Sequence, residues 1–138
     1  MADDPRHPPT IELDGARLRA LRASDAAALY AYLRDPAVTE RTSYPAVTTQ
    51  LAEAMIERAS RRWAAGEPSR WGLALPDDQL VGTCGFNDWS EAHRWAELAF
   101  DLAQPQWGQG LMPRAVAAAL AWIFRQEQVP LNRVQAFV

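Results

Sequence analysis

Three segments between residues 70 and 102 alternate apolar with small or polar side chains, and only short turns separate them. The first carries Trp71, Leu73 and Leu75 on one side, the second spans residues 80–89, and the third spans residues 94–102. Alternation with a period of two is typical of half-buried strands. Parallel strands need a crossover of about a dozen residues, whereas antiparallel strands need only a short turn. The sequence therefore predicts an antiparallel meander rather than βαβ units.

A glycine-containing loop, WGQGLM, follows the third strand at residues 107–112 and leads into an Ala-rich segment with helical spacing. Glycine permits backbone conformations in which N–H groups converge on an anion, and a helix N-terminus adds partial positive charge. Pro113 is well suited to the first turn of that helix, where its missing N–H group costs little. The order of strand, loop and helix predicts a site for the phosphates of a cofactor.

Two familiar phosphate loops are excluded at this position. A Walker loop needs a lysine that reaches a terminal phosphate, and all 14 basic side chains of this chain are arginines. A dinucleotide fingerprint needs a third glycine where Pro113 stands, together with a parallel βαβ unit. A pyrophosphate loop in which one glycine allows close backbone approach fits both the spacing and the antiparallel context.

The segments before the meander predict a hairpin and two helices. Residues 10–22 alternate around Asp14-Gly15, which is typical of a hairpin turn. Ser24 is expected to cap a helix that runs to about Arg34 and ends at Pro36. A second helix is expected after Thr49, running to Ala65, and residues 35–48 between the helices are expected to be irregular.

The two ends of the chain and the last helix complete the prediction. Residues 1–9 are expected to form a disordered tail, and residues 131–138 a strand. The helix after the glycine loop is expected to run to about Gln126. Its predicted buried stripe consists of Val116, Leu120, Ile123 and Phe124.

Composition excludes several classes of protein. The formal net charge of -3 lacks the basic footprint that general nucleic-acid binding needs. No signal peptide and no bilayer-spanning apolar run is visible, so we expect a cytoplasmic protein without a membrane partner. The single cysteine, Cys84, excludes an internal disulfide and a multi-cysteine zinc site, and no metal is expected. Cys84 is interpreted as a buried strand cysteine rather than a nucleophile.

The chain resembles the GCN5-related N-acetyltransferases (GNATs), and within them the RimJ/RimL-like branch. The family loop, Gln/Arg-x-x-Gly-x-Gly/Ala, falls on Trp107-x-x-Gly110-x-Met112, so Trp107 replaces Gln/Arg and Met112 replaces a small residue. Residues 17–25, 80–86 and 96–102 extend the resemblance in the family's order. It implies an α/β (α+β) fold with a mostly antiparallel mixed sheet flanked by helices, formed by residues 10–138.

The resemblance implies acetyl-CoA as the cosubstrate. The strand end at Leu102 would offer backbone groups to the pantetheine arm, and the loop would surround the pyrophosphate with N–H donors. Arg114 would either add charge at the phosphates or face solvent, and a strand–helix turn without any ligand is the alternative for the whole loop. The expected cofactor-binding residues are Leu102, Trp107, Gly108, Gln109, Gly110, Leu111, Met112 and Arg114.

Transfer of acetyl to an amine needs a base that takes the amine proton, and a strand carboxylate beside the cofactor suits this role. Glu97 is our first candidate, with a structural or solvent-facing carboxylate as the alternative, and Asp88 and Asp101 are further candidates. The arginines of the second helix are expected to form a solvated face; they are Arg58, Arg61 and Arg62.

The expected activity is direct transfer of acetyl from acetyl-CoA to a primary amine, either a protein N-terminus or a small molecule. The family's general acid follows the strand near Leu131, so we expect it beyond Val138, together with the final strand pair of the fold. An incomplete fold favours the alternative of a non-catalytic CoA-binding or interaction module, or an inactive truncated fragment. An unpaired sheet edge would favour a homodimer.

Overall fold

A single mixed sheet organises the chain. The computed structural model describes residues 8–40, 44–90 and 92–126 and the backbone of residues 133–136. The strands are β1 (Ile11–Leu13), β2 (Ala16–Arg19), β3 (Arg70–Ala74), β4 (Leu80–Ser90), β5 (Trp95–Leu102) and β6 (Arg133–Ala136). The helices are α1 (Ala26–Leu33), α2 (Pro36–Thr39), α3 (Thr49–Ala64) and α4 (Leu111–Phe124).

The strands lie in the sheet in chain order, from β1 to β6. Each of the first five pairs with the next in the antiparallel direction, as short connections require. The last pair, β5 with β6, is parallel, and α4 lies in the connection between them. The predicted meander and the predicted mostly antiparallel mixed sheet are both confirmed.

The hairpin prediction is also confirmed, but the first helix starts differently from the prediction. Gly15 has a φ of 82° in the turn between β1 and β2, a conformation that glycine adopts without strain. Ser24 does not cap α1, because it lies inside a 3₁₀ turn, Ala23–Asp25, that precedes the helix. The Asp25 carboxylate accepts the backbone N–H of Arg22 at 2.7 Å and the guanidinium of Arg19 at 2.8 Å. These bonds hold the chain in the tighter turn.

The stretch between the first helix and α3 is not wholly irregular. Pro36 ends one helix and begins another, α2, where the Asp35 side chain accepts the N–H of Ala37 at 3.0 Å. Thr48 caps α3 through a 3.0 Å bond from the Leu51 N–H to its hydroxyl oxygen. The second predicted helix is thus confirmed almost to the residue.

Helices cover the two faces of the sheet, and each face has its own hydrophobic core. On one face α4 packs against residues such as Leu73, Phe86 and Leu98; on the other, α1 and α3 pack together over Leu21 and Leu80. The buried side of α4 consists of Leu111, Met112, Ala115, Ala119, Trp122 and Ile123. Of the predicted stripe, Ile123 is buried, Val116 and Leu120 are half-buried, and Phe124 is 55% exposed, because the helical period places these three away from that row.

Three buried tryptophans join a helix from each layer to the sheet. Trp63 of α3, Trp71 of β3 and Trp122 of α4 pack edge to face, with ring centroids 4.9–5.4 Å apart. The indole of Trp63 donates to the Arg70 carbonyl at 3.0 Å, and that of Trp71 to the Pro9 carbonyl at 3.0 Å. Residues 1–7 of the predicted tail lie outside the described residues.

No helix in the described part of the chain combines the length and the apolar character needed to cross a membrane.

Candidate active site

The loop between β5 and α4 is built around two glycines in the left-handed region. A 3₁₀ turn, Gln104–Gln106, follows β5, and Gly108 and Gly110 then have φ values of 79° and 76°. Gly110 is the residue from which α4 begins. Other L-residues are strained in this conformation, so the glycines determine how tightly the chain turns into the helix.

The loop presents donors that the protein itself does not use. Among the described residues, the backbone N–H groups of residues 108–112 donate to no protein acceptor, as expected where a helix begins. The Arg114 side chain folds back on the loop, with Nη1 3.4 Å from the Gln109 carbonyl oxygen. Its Nε is buried without a hydrogen-bond partner. Unpaired N–H groups, a helix N-terminus and an unpaired guanidinium N–H suit an anionic oxygen group such as a pyrophosphate.

Trp107, which replaces the polar first anchor of the family loop, fastens this loop to the sheet. Its side chain is 43% exposed, and its indole N–H donates to the Leu102 carbonyl at 2.9 Å. Ala103, the residue after Leu102, donates its backbone N–H to the carbonyl of Val81 in β4. Because backbone groups alternate along a strand, those of Leu102 point away from β4. The Leu102 carbonyl is therefore engaged by Trp107, and among the described residues the Leu102 N–H is the group that remains available to a ligand.

Among the described residues, the parallel pairing of β5 with β6 covers only the first half of β5. It runs from Trp95 opposite Arg133 to Leu98 opposite Ala136, and β5 continues to Leu102. The family resemblance implies that the pantetheine arm binds at the Leu102 end of β5, and the glycine loop follows that same end of the strand.

Glu97 lies in the middle of β5, opposite Asp88 of β4. It is partly exposed and, among the described residues, its carboxylate forms no hydrogen bond or ion pair. By alternation it shares a face with Asp101, the face covered by α1 and α3. A partly exposed carboxylate with unused acceptor capacity can take a proton from a bound amine.

Asp101, by contrast, is committed to the protein interior. Its carboxylate is fully buried and accepts from the Tyr44 hydroxyl at 2.6 Å, the Arg70 guanidinium at 3.2 Å, and the Tyr32 hydroxyl. Thr83 adds its hydroxyl at 2.8 Å and its backbone N–H at 3.0 Å. With these donors in place the carboxylate has neither the exposure nor the acceptor capacity to serve as the base.

The electrostatics of this cluster keep its donors protonated. Burial raises the pKa of Tyr32 well above its usual range, and the charge of Asp101 adds to the shift. Burial followed by Asp101 also raises the pKa of Tyr44. Burial alone would lower the pKa of Arg70, but Tyr44 and Asp101 outweigh it and the pKa is raised. The two phenols thus remain donors to Asp101 throughout the neutral range.

The cysteine prediction is confirmed. Cys84 is free and fully buried on β4, and burial raises the pKa of its thiol to about 12. A protonated thiol without access to solvent is not a nucleophile at neutral pH.

The predicted solvated arginine face of α3 is wrong in part. Arg61 is 73% exposed, but the Arg62 side chain is only 18% exposed. Arg62 donates to the backbone carbonyl of Asn87, and Arg58 reaches the same oxygen at 3.5 Å. The β4 strand is irregular between Phe86 and Asp88, and this bulge brings Asn87 under α3.

Sequence reasoning missed Tyr32, Tyr44, Arg70 and Asn87 as parts of this region. Alternation places Arg70, Thr83 and Asp101 on one face of the meander, and this signal was available. The partners from α1 and from the segment before α3 depend on how helices pack over that face, which periodicity does not specify.

Comparisons with known proteins agree with this architecture. The family model described as "Acetyltransferase (GNAT) domain" matches residues 16–138. The uncharacterized N-acetyltransferase p20 of Bacillus licheniformis is 30% identical over 131 residues, which cover 94% of this chain and 72% of that protein.

Solved structures share the fold at low identity. The structure of a putative ribosomal-protein-serine acetyltransferase from Vibrio cholerae superposes with a TM-score of 0.74 and 22% identity, over 93% of this chain and 72% of that one. RimL, a ribosomal L7/L12 alpha-N-protein acetyltransferase solved with coenzyme A, gives a TM-score of 0.70 at 18% identity, over 84% of this chain and 67% of that one.

Proposed function

Because this chain belongs to the GNAT acetyltransferase family and is an acetyltransferase that acts on amines, we propose that it transfers acetyl directly from acetyl-CoA to a primary amine. The acceptor is the N-terminus of a polypeptide or a small-molecule amine. Structural neighbours of both the RimL and the ribosomal-protein-serine type support a RimJ/RimL-like assignment.

The observation that carries this proposal is the set of unused donors in the loop after β5. Among the described residues, the backbone N–H groups of residues 108–112, where α4 begins, donate to no protein acceptor, and the Arg114 Nε has no hydrogen-bond partner. These groups would hold the pyrophosphate of acetyl-CoA. The Leu102 N–H would bind the pantetheine arm, and Trp107 would fix the loop through the Leu102 carbonyl.

Glu97 is the proposed base. Acetyl-CoA supplies an acetyl group activated as a thioester. The acceptor must lose a proton as its nitrogen forms the amide bond, and the Glu97 carboxylate takes this proton directly or through a water molecule. Asp88, which lies opposite, is 58% exposed and sits 3.8 Å from the Arg62 guanidinium. That ion pair engages the Asp88 carboxylate, whereas Glu97 has no such partner among the described residues.

Binding of CoA tests the loop assignment. We expect CoA to bind the full chain in isothermal titration, and Arg114→Gln to weaken its Kd roughly ten- to a hundredfold, the range typical of a charge-assisted hydrogen bond. Arg125→Gln is the matched control, because Arg125 lies just beyond the other end of α4 and should leave the Kd unchanged. If the wild-type chain does not bind CoA, the proposed function is wrong.

Turnover tests the role of Glu97 and separates catalysis from simple binding. We expect Glu97→Gln to lower kcat by about a hundredfold or more while the Kd for CoA is unchanged. Glu57→Gln removes an exposed carboxylate of α3 and should have no effect on kcat. A Glu97→Gln variant with wild-type kcat would assign the base elsewhere. Binding without thiol release for any amine would support a non-catalytic module.

A further inference from the structure

A cavity of about 370 Å³ opens between α3 and the adjoining ends of β3 and β4. Leu51 and Met55 of α3 form part of its apolar wall. The polar wall consists of Arg58, Arg62, Arg70 and Asn87. Three arginines therefore line a space large enough for an amino acid, and no Asp or Glu is among the described lining residues.

The three arginines of this wall are paired with carboxylates to different degrees. Arg70 pairs with the buried Asp101 at 3.2 Å. Arg62 lies 3.6 Å from the Glu67 carboxylate and 3.8 Å from that of Asp88, both at the long end of ion-pair distances. Arg58 pairs with no carboxylate within the described residues. Among the described residues, Arg58 is therefore the guanidinium of this wall that a bound anion could pair with.

A single residue, Asn87, contacts all three guanidinium groups. Its backbone carbonyl accepts from Arg62 and, at 3.5 Å, from Arg58, while its side-chain Oδ1 accepts from Arg70 at 2.8 and 3.1 Å. A guanidinium that is already held in place loses less conformational freedom when it binds a ligand. This arrangement resembles a prepared anion site more than a solvated helix face.

The cavity lies close to the proposed base. Asn87 occupies the bulge of β4 next to Asp88. In the register of the two strands, Asp88 lies directly opposite Glu97 of β5. Neighbouring strands are about 4.8 Å apart, so Asn87 and Glu97 are separated by roughly one strand spacing. An acceptor whose amine lies at Glu97 could therefore place a second functional group, a few bonds from the amine, against the arginines.

We propose that the acceptor amine carries a carboxylate near its amino group, and that Arg58, with Arg62 and Arg70, binds this carboxylate. The planar guanidinium matches a carboxylate through paired hydrogen bonds, which makes arginine suited to the task. The carboxylate belongs either to a small amino acid or to an acidic residue near a peptide N-terminus. The inference rests on the proposed acetyl transfer and specifies its substrate class.

Matched acceptors test the proposal with the full chain and acetyl-CoA. One pair is 4-aminobutyrate and its amide; the other is a Ser-Glu and a Ser-Gln peptide with amidated C-termini. We expect kcat/KM to be at least about tenfold higher for the acidic member of one pair, chiefly through KM, because a charge-assisted hydrogen bond is made. The pair that shows the preference identifies the source of the carboxylate.

Variants of α3 connect the preference to the cavity. Arg58→Gln should raise KM for the acidic acceptor about tenfold and leave kcat and the neutral acceptor unchanged. Its only polar contact in the described structure is the long one to Asn87, so folding is not at stake. Arg61→Gln, one turn along on the exposed side, is the control and should change neither acceptor.

The outcomes separate this inference from the function on which it rests. Turnover with equal kcat/KM for the acidic and neutral members of both pairs overturns the carboxylate site alone. A preference that survives Arg58→Gln unchanged also overturns it. No acetylation of any amine overturns the proposed function, and the carboxylate site with it.

Discussion

Asp101 shows how one residue can look catalytic in a sequence and be structural in the protein. It lies one residue before the end of β5, on the same face of the strand as Glu97 and close to the proposed cofactor loop. Its donors come from positions 69, 57 and 31 residues away, at Tyr32, Tyr44 and Arg70. No local pattern indicates such contacts. The same strand pattern also made Glu97 a candidate for the base. Among the described residues, its carboxylate has no partner.

Replacing Asp101 with Asn should destabilise the protein by roughly 3–5 kcal/mol, because the buried Arg70 would lose its counterion while keeping its charge. Asn also adds N–H donors where phenol hydroxyls and a guanidinium already point. The measurement is the free energy of unfolding in urea. A loss below about 1 kcal/mol would show that the cluster does not depend on the carboxylate charge.

Asp88→Asn is the matched control for the Asp101→Asn variant. Asp88 is 58% exposed and 3.8 Å from Arg62. Exposed ion pairs contribute about 0–1 kcal/mol, so the free energy of unfolding should barely change.

At the scale of elements, helices and strands were predictable where their periodicity was strong, and their ends were not. The alternation of residues 70–102 specifies β3, β4 and β5, and glycine spacing specifies the loop before α4. Ser24 failed as a cap because the Asp25 carboxylate bonds Arg22 and Arg19 instead. Tertiary partners of this kind decide between competing local structures.

One such partner is the turn between β3 and β4. The Asp78 carboxylate accepts from the buried Arg19 at 2.8 Å and pairs with Arg22. Arg19 in turn binds Asp25 at the start of α1. The turn thus ties the meander to β2 and to the first helix, and hydrogen bonds from Arg22 and Arg19 lower the pKa of Asp78 below its usual 3.8.

This lowered pKa predicts a pH dependence of stability. A carboxyl whose pKa falls on folding stabilises the protein above its unfolded pKa, and that contribution is lost as pH falls through the folded pKa. The difference in free energy of unfolding between wild type and Asp78→Asn should be constant above about pH 5 and shrink below pH 4. Asn tolerates the positive φ of 73° at this position.

Urea unfolding between pH 7 and pH 3 provides the measurement. Asp77→Asn removes a charge from the same turn, and Asp77 forms no ion pair among the described residues. Its stability should follow that of wild type at every pH. A gap for Asp78→Asn that is independent of pH would contradict the ionic role of the turn.

In the whole molecule, the order of the elements predicted the sheet. How the helices on its two faces are joined to it became visible only in the three-dimensional structure. The tryptophan cluster brings together residues 63, 71 and 122, from two helices and a strand. A sequence marks each as apolar without saying which will meet. Phe124 illustrates the same limit, because its helix was predicted and its exposure was not.

Trp63→Ala should cost roughly 3–5 kcal/mol, since it removes a large side chain from the junction of α3 with the sheet and leaves a cavity. Trp107→Ala is the control: Trp107 is 43% exposed and donates one hydrogen bond, so its loss should cost about 1 kcal/mol or less. Thermal unfolding followed by circular dichroism compares the two. Equal losses would mean that the cluster is not a stabilising junction.

The carboxylate that several side chains share at Asp101 also limits how these positions can change during evolution. Side chains from α1, from the segment before α3, and from β3 and β4 are all satisfied by one carboxylate. A substitution at any of these positions would leave a buried polar partner unsatisfied, so none is exchanged without cost. We expect the five positions to be inherited together or replaced together, and to diverge more slowly than the exposed surface around them.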